Sequence, residues 1–435
     1  MTKKKLPIVK LKLDKIIGGG QAIGTLDNGK KMLVWGGLPN ELVEAQVTKK
    51  KSSLNEGYVT AVIEESTERI VPRDPESYLS TSPWQIMDFA AEQHYKSALI
   101  EEAFELHNIV LPEPIEVYSD NKIYEYRNKI EFSFWFDTDS EKLSLAFFRR
   151  GTSGKISVDG TSLAAPIINQ TAHEILAALN KMAAVGRDLK TLIIRTNRKN
   201  EVAWQLYVKE PDFNVERLAQ ILGSKLEQGE VIYSNPKSPA SVITKILTED
   251  KPDQLTDTIL GVPFRYATES FFQINLPVYE QALRDMKTWV DEDKPTIDLY
   301  SGVGSIGLTI GSKDLTLVEI NESAVREMRR NIIELGRNNQ ATAVLAASED
   351  AIDYISSEAT IIVDPPRAGL HDKVIDKLLE QKPARIIYLS CNATTQARDV
   401  MKLAESYGVR AHRGYNFFPR TPHIEHLVVL DLKIN

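Results

Sequence analysis

Thr296-Ile297-Asp298-Leu299-Tyr300-Ser301-Gly302-Val303-Gly304-Ser305-Ile306-Gly307-Leu308 is the stretch whose reading decides the fold. Its first five residues read as a short buried strand. Gly302, Gly304 and Gly307 then match G-x-G-x-x-G and open a helix. Glycines let the backbone turn tightly and let a ligand approach a helix N-terminus. Glu319 ends the next apolar run, where a carboxylate can accept from two ribose hydroxyls. Dinucleotide and S-adenosylmethionine sites both use this arrangement, and the turn alone does not separate them.

Downstream the same texture continues. Strands read at Thr296–Tyr300, Leu315–Glu319, Thr342–Ala346, Ala359–Val363, Arg385–Leu389 and Leu427–Leu432, with helices between them. That alternation predicts a doubly wound α/β sheet with ligands beyond the C-terminal strand ends. Upstream, 114–275 mixes strands (Tyr124–Phe136, Leu143–Phe148, Leu192–Thr196, Val202–Val208) with a helix at Ile167–Ala184. A helix over 89–107 follows a linker holding Pro72 and Pro75. Residues 7–64 read as all-β. Ile8-Val9-Lys10-Leu11-Lys12-Leu13 alternates with period two, and Gly18-Gly19-Gly20 and Asp27-Asn28-Gly29 are turns. Five short strands there suggest a small OB-like barrel, a scaffold that carries nucleic acid. The expected organisation is a barrel at 1–66, a mixed α+β domain at 67–275 and a Rossmann-like catalytic domain at 276–435.

A chain of 435 residues exceeds one core. Its 42% hydrophobic and 26% charged content is that of a soluble globular protein. No apolar run reaches the ~18–20 residues of a membrane span. The basic start, Met1-Thr2-Lys3-Lys4-Lys5-Leu6-Pro7, is followed by no apolar stretch of signal-peptide length. One cysteine excludes an internal disulfide framework and points to a reducing cytoplasm. A monomer without obligate protein partners is the default expectation. Net charge is −7, but the first sixty residues hold eleven lysines against five acids. A basic head on an acidic body is the asymmetry of an appended nucleic-acid-binding module.

Three further segments carry chemistry. Cys391 sits in Tyr388-Leu389-Ser390-Cys391-Asn392, at a strand end facing a helix N-terminus, where backbone dipoles favour thiolate. Asp364-Pro365-Pro366-Arg367 ends the strand expected beside the ligand, and its prolines stiffen the turn. Arg367 stands where motifs for amino-group methylation carry an aromatic residue. Glu425 begins the last strand beside His423, which reads as a packing or hydrogen-bonding histidine. A thiolate and a carboxylate suit methylation of a pyrimidine ring carbon. Addition at carbon 6 makes carbon 5 nucleophilic, and a base then removes the carbon 5 proton.

Taken in order, Ser270-Phe271-Phe272-Gln273-Ile274-Asn275, the glycine turn, Asp364-Pro365-Pro366-Arg367-Ala368-Gly369-Leu370, Ser390-Cys391-Asn392 and Phe418-Pro419-Arg420-Thr421-Pro422-His423-Ile424-Glu425 resemble the RNA uracil-5-methyltransferase family. The N-terminal segment is similar to the TRAM domain of bacterial members acting on large-subunit ribosomal RNA. The resemblance implies Cys391 as nucleophile and Glu425 as proton-abstracting base. It implies that Gln273, Tyr300, Glu319 and Asp364 contact S-adenosylmethionine, and that Phe271 packs against a flipped uracil. Many members carry an iron–sulfur cluster before the first central helix. This chain has Ser80-Thr81-Ser82-Pro83-Trp84-Gln85 there, with Ser82 where a cysteine is expected, so a cluster-free member is expected. Ala393 replaces a common proline and Asn416 a common aspartate.

The implied function is S-adenosylmethionine-dependent methylation of uridine carbon 5 in RNA, with 23S ribosomal RNA as substrate. Arg127, Lys129, Arg149 and Arg150 are the central-domain candidates for RNA contact. Transfer RNA uridine-5 methylation, RNA cytosine-5 methylation, a non-catalytic RNA-binding assembly factor and NAD-dependent hydride transfer are the alternatives.

Overall fold

A computed structural model of the chain describes residues 6–139, 142–249 and 255–433. Lys3, Lys4 and Lys5 of the basic head lie outside the described residues. Residues 8–64 form a closed five-stranded barrel of Ile8–Ile16, Ala22–Thr25, Lys31–Trp35, Leu42–Lys50 and Leu54–Glu64. The period-two pattern turns Leu11, Leu13, Met32, Val34, Val43 and Val47 inward to fill it. Closure leaves no open sheet edge to pair with another chain.

A seven-stranded sheet follows, its long central strands Lys129–Asp137, Leu189–Thr196 and Val202–Val208. Helix Pro166–Lys181 lays Ile168, Ala172, Ile175 and Leu179 on that sheet, against Phe132, Leu192 and Leu206. The expected strand Tyr124–Phe136 begins only at Lys129. Glu125 has φ +56°, and Tyr124 and Tyr126 pack with Leu163 in a separate cluster, so the chain enters the sheet late.

The third sheet has eight strands in the order Ala341–Leu345, Leu315–Glu319, Thr296–Leu299, Thr360–Val363, Arg385–Ser390, Glu425–Leu432, Tyr407–Tyr415 and Val117–Tyr118. The first five run parallel, and Glu425–Leu432 is antiparallel to both of its neighbours. Thr296–Leu299 lies between Leu315–Glu319 and Thr360–Val363, so the chain order reverses there. Tyr300 and Asp364 sit just past these two strand ends, at the switch point where ligands bind in open α/β sheets.

The regular strand–helix alternation holds only in part. The glycine turn opens a single helical turn, Gly307–Ile310, because the next strand starts at Leu315. Two 3₁₀ turns, Ser348–Asp350 and Ile352–Tyr354, replace a helix before Thr360–Val363. Strand Tyr407–Tyr415 has no sequence signal, since its glycines and charges read as loop. The helix Phe89–Glu105 and strand Val117–Tyr118 fall within 67–275, yet they complete the third sheet. Ile100, Ala103 and Phe104 share one core with Tyr388, Ala397 and Leu403.

Candidate active site

The backbone places Cys391 and Glu425 side by side. Strands Arg385–Ser390 and Glu425–Leu432 pair antiparallel, and their last partners are Ser390 and His426. One residue further out on each strand are Cys391 and Glu425. Buried Gln396, on the helix after the cysteine, holds both strands. Its amide donates to the carbonyls of Tyr388 (3.0 Å) and His426 (2.9 Å). On the other flank Asn392 Nδ2 (2.8 Å) and Thr395 Oγ1 (3.2 Å) donate to the carbonyl of Arg367. The cysteine loop and the Asp364-Pro365-Pro366-Arg367 turn are thereby tied together.

The loop carrying Glu425 is fixed from behind. Buried Lys96 donates to Asn416 Oδ1 (2.5 Å) and the Phe418 carbonyl (3.1 Å). The Glu92 carboxylate accepts from the Arg420 N–H at 3.1 and 3.0 Å, holding that residue at φ +66°. Asn416 fills the family's aspartate position as a neutral bridge, accepting from Lys96 and donating to Glu92 at 2.9 Å. Sequence reading missed Gln396, Lys96 and Glu92. Polar residues inside an amphipathic helix resemble surface residues until the partner element is known.

The barrel reaches this loop as well. A Cβ on Gly20 (φ +88°) would lie 2.1 Å from Pro422, so only glycine lets the turn approach. Trp84 Nε1 donates to the Gly20 carbonyl at 2.9 Å. The result is a cleft of about 380 Å³ with Cys391, Arg367 and His423 on one side and Gly19, Trp35 and Arg150 on the other.

Behind the cysteine lie two carboxyls, Asp364 and Glu425, which form the floor of the site. Burial pushes Asp364 up to about 7, and burial followed by the Asp364 charge lifts Glu425 well above the usual range. Arg367 opposes the rise at Glu425. Burial, then Glu425 and Asp364, push the Cys391 thiol up to about 11 against the pull of Arg367. The expected thiolate bias is therefore overturned, since burial and two negative neighbours outweigh the helix terminus. Burial and neighbouring cations push His423 down to about 4, so it is neutral and accepts from Arg367 at 3.3 Å.

At the glycine turn, Glu319 accepts from the N–H of Gly302 (2.9 Å) and of Asn321 (2.7 Å). Each carboxylate oxygen keeps a lone pair for a ribose hydroxyl. Gly302 (φ +56°) faces open space, whereas a Cβ on Gly307 would meet Leu317 at 2.5 Å. The first glycine leaves room for a ligand and the third lets the turn pack on the sheet. Tyr300, just before the turn, is also left-handed at φ +65°. Asp298 Oδ2 accepts from the Gly307 N–H at 2.9 Å, while Oδ1 is buried without a partner. Burial pushes this carboxyl up to about 8, with Asp364 and Glu319 adding to it.

Gln273 and Phe271 lie on a loop stapled from beneath. Buried Arg195 donates to the carbonyls of Ala267 (3.0 Å), Ser270 (2.8 Å) and Phe272 (3.1 Å). Asn128 donates to the Gln273 carbonyl at 3.0 Å. Phe272 stacks inward on Tyr266, and Phe271 is left 78% exposed. Lys129, read as an RNA contact, turns inward to the Glu269 carbonyl at 2.8 Å. Ser82 accepts from Gln85 at 2.7 Å, and its hydroxyl offers no thiolate to a cluster.

The profile of the tRNA (uracil-5-)-methyltransferase family matches residues 89–433. An uncharacterised RNA methyltransferase of Fusobacterium nucleatum is 28% identical over 98% of this chain and 96% of its own length. One from Aquifex aeolicus is 27% identical over 98% and 99%. Among solved structures, the Pyrococcus abyssi tRNA (uracil-54, C5)-methyltransferase in complex with S-adenosyl-L-homocysteine superposes with a TM-score of 0.77. It is 22% identical, covering 97% of this chain and 99% of that one, which shows a shared fold. With a match over so much of its length, this chain belongs to the tRNA (uracil-5-)-methyltransferase family.

Proposed function

We propose that this enzyme methylates carbon 5 of a uridine in RNA, with Cys391 as nucleophile and Glu425 as base. The observation that carries this reading is the meeting of Cys391, Glu425 and Asp364 at one strand-end edge, where Ser390 pairs with His426 and both carboxyls raise the thiol. Gln273, Tyr300, Glu319 and Asp364 are assigned to the methyl donor. Glu319 keeps lone pairs beside the open space at Gly302, which suits the ribose of the donor. The fold shared with a methyltransferase holding S-adenosyl-L-homocysteine favours S-adenosylmethionine over NAD there. When bound, it supplies a sulfonium methyl to the cleft floor.

The chain's own groups then act in order. The Cys391 thiol gives its proton to solvent water and its sulfur bonds to carbon 6, the 5,6 double-bond electrons moving toward O4. Carbon 5 takes the methyl. Glu425 removes the carbon 5 proton, the double bond re-forms, and the carbon–sulfur bond breaks. Raised proton affinity makes Glu425 a stronger base than an exposed carboxylate. Phe271, exposed on its stapled loop, is assigned to packing against the flipped base.

The substrate proposed from the sequence is 23S ribosomal RNA. A second reading, transfer RNA, is favoured by one observation. The tRNA methyltransferase fold covers 97% of this chain, barrel included, so a barrel does not separate the two substrates. Transcripts of both kinds substituted with 5-fluorouridine test chemistry and substrate together. Fluorine at carbon 5 cannot leave as a proton, so the methylated adduct stays on the protein. A gel-stable adduct is expected with wild type and none with Cys391→Ser. An adduct of equal yield on the serine variant would refute the nucleophile.

A further inference from the structure

We infer that Arg150, held over Trp35 of the barrel, binds a backbone phosphate of the RNA strand flanking the target uridine. The inference rests on the proposed RNA reaction and assigns the barrel a part in it. Cys391, Arg367, Trp35 and Arg150 line one cleft. RNA carries a negative charge at every phosphate, so an entering strand is steered by cations at the cleft rim.

Arg150 is built for that role. Its guanidinium lies 4.1 Å from the centre of the Trp35 ring. Its Nε donates to the Leu79 carbonyl at 2.6 Å, and its N–H to Ser80 Oγ at 3.0 Å. Two segments distant in sequence, Trp35 and the Leu79-Ser80 pair, thus hold one exposed side chain. Nη1 makes none of these bonds, and Arg150 is in no ion pair among the described residues. A planar fork with donors to spare and a fixed orientation matches phosphate oxygens. The neighbouring candidates differ: Lys129 is committed to backbone carbonyls, and Arg149 Nε turns to the Lys155 carbonyl at 3.4 Å.

The surface lysines of the barrel offer a poorer phosphate site. Lys12, Lys15, Lys31 and Lys51 pair with Glu64, Glu102, Asp14 and Glu56. Four of the barrel's lysines are thus balanced within the fold, while the guanidinium charge at the cleft rim is not.

The test measures methyl transfer to total RNA from a strain lacking the gene, over a series of salt concentrations. Losing one phosphate contact lowers the slope of log KM against log salt by about 0.7–0.9. Arg150→Met is expected to lower it by that amount and raise KM about tenfold, with kcat within about twofold. Trp35→Leu keeps the charge but frees the side chain, so KM rises with the slope unchanged. Arg150→Lys keeps the slope and loses several-fold in KM, and it serves if the methionine variant misfolds. A wild-type slope in Arg150→Met, or a wild-type KM in Arg150→Lys, overturns the inference. If wild type forms the 5-fluorouridine adduct and the slope does not move, only the phosphate site fails. If no adduct forms on any transcript, the reaction itself is wrong.

Discussion

At the floor of the cleft, Asp364 and Glu425 are carboxyls whose burial holds them toward the protonated form. At the rim, Arg150 and Arg367 are exposed guanidinium groups outside any ion pair among the described residues. The floor is held toward neutrality, whereas the rim carries guanidinium charge. Protons and a cationic methyl donor belong to the floor, and a polyanionic strand belongs to the rim. Chemistry and recognition should therefore separate under mutation.

Glu425→Gln gives the largest expected effect at the floor. Glutamine keeps the shape but accepts no proton, so the reaction stalls after methyl transfer. Turnover should fall by about 10²–10⁴-fold, the range for loss of a general base. KM for RNA should stay near wild type, since the rim is untouched. A covalent complex should then accumulate on ordinary uridine RNA, without fluorine, and denaturing gels would show it. Normal turnover in this variant would place the base elsewhere.

How much of this contrast is legible from residues alone follows from range. Cys391 and Asp364 follow strands and Glu425 begins one, and strand boundaries are readable where apolar runs stop or start. The glycine turn is readable because φ above zero selects glycine locally. The barrel was readable from alternation. The supports were not. Gln396, Lys96 and Arg195 act on partners 8 to 322 residues away, and nothing local marks them. Strand Tyr407–Tyr415 was missed because its pairing, not its composition, makes it a strand. The thiol's upward shift was missed for the same reason, since its causes are neighbours from two other strand ends.

The second effect is thermodynamic and concerns the deepest floor carboxyl. Asp298 titrates near 3.8 in an unfolded chain and near 8 in the fold. Between those values the folded state holds a proton that the unfolded state has lost. Stability from this group is thus complete below about pH 4 and declines as pH rises toward 8. Asp364 and Glu425 add the same sign. Asp298→Asn still accepts from Gly307, and any packing offset it brings is independent of pH. Denaturant melts at pH 5 and pH 8 should show a wild-type loss that exceeds the variant's by on the order of 2 kcal/mol. Parallel pH curves would show that Asp298 is ionised in the fold, and the acidic floor would then be a charged one.

The smallest expected effect lies farthest from the cleft. Lys49 and Lys50 end the barrel strand Leu42–Lys50 on an exposed face. Exposed lysine ammonium groups are hydrated and mobile, and at about 0.15 M salt their field falls off over ~8 Å. Lys49→Met combined with Lys50→Met should therefore change KM for RNA by less than about twofold at that salt. The change should grow at low salt, where screening weakens. Arg150→Met in the same assay should act at both salts, because its phosphate contact is direct and oriented. If the lysine pair costs more than Arg150, RNA is held chiefly by the barrel's outer face. The glycine turn against Pro422 would then serve to carry that face toward the site, and the contrast between floor and rim would matter only for chemistry.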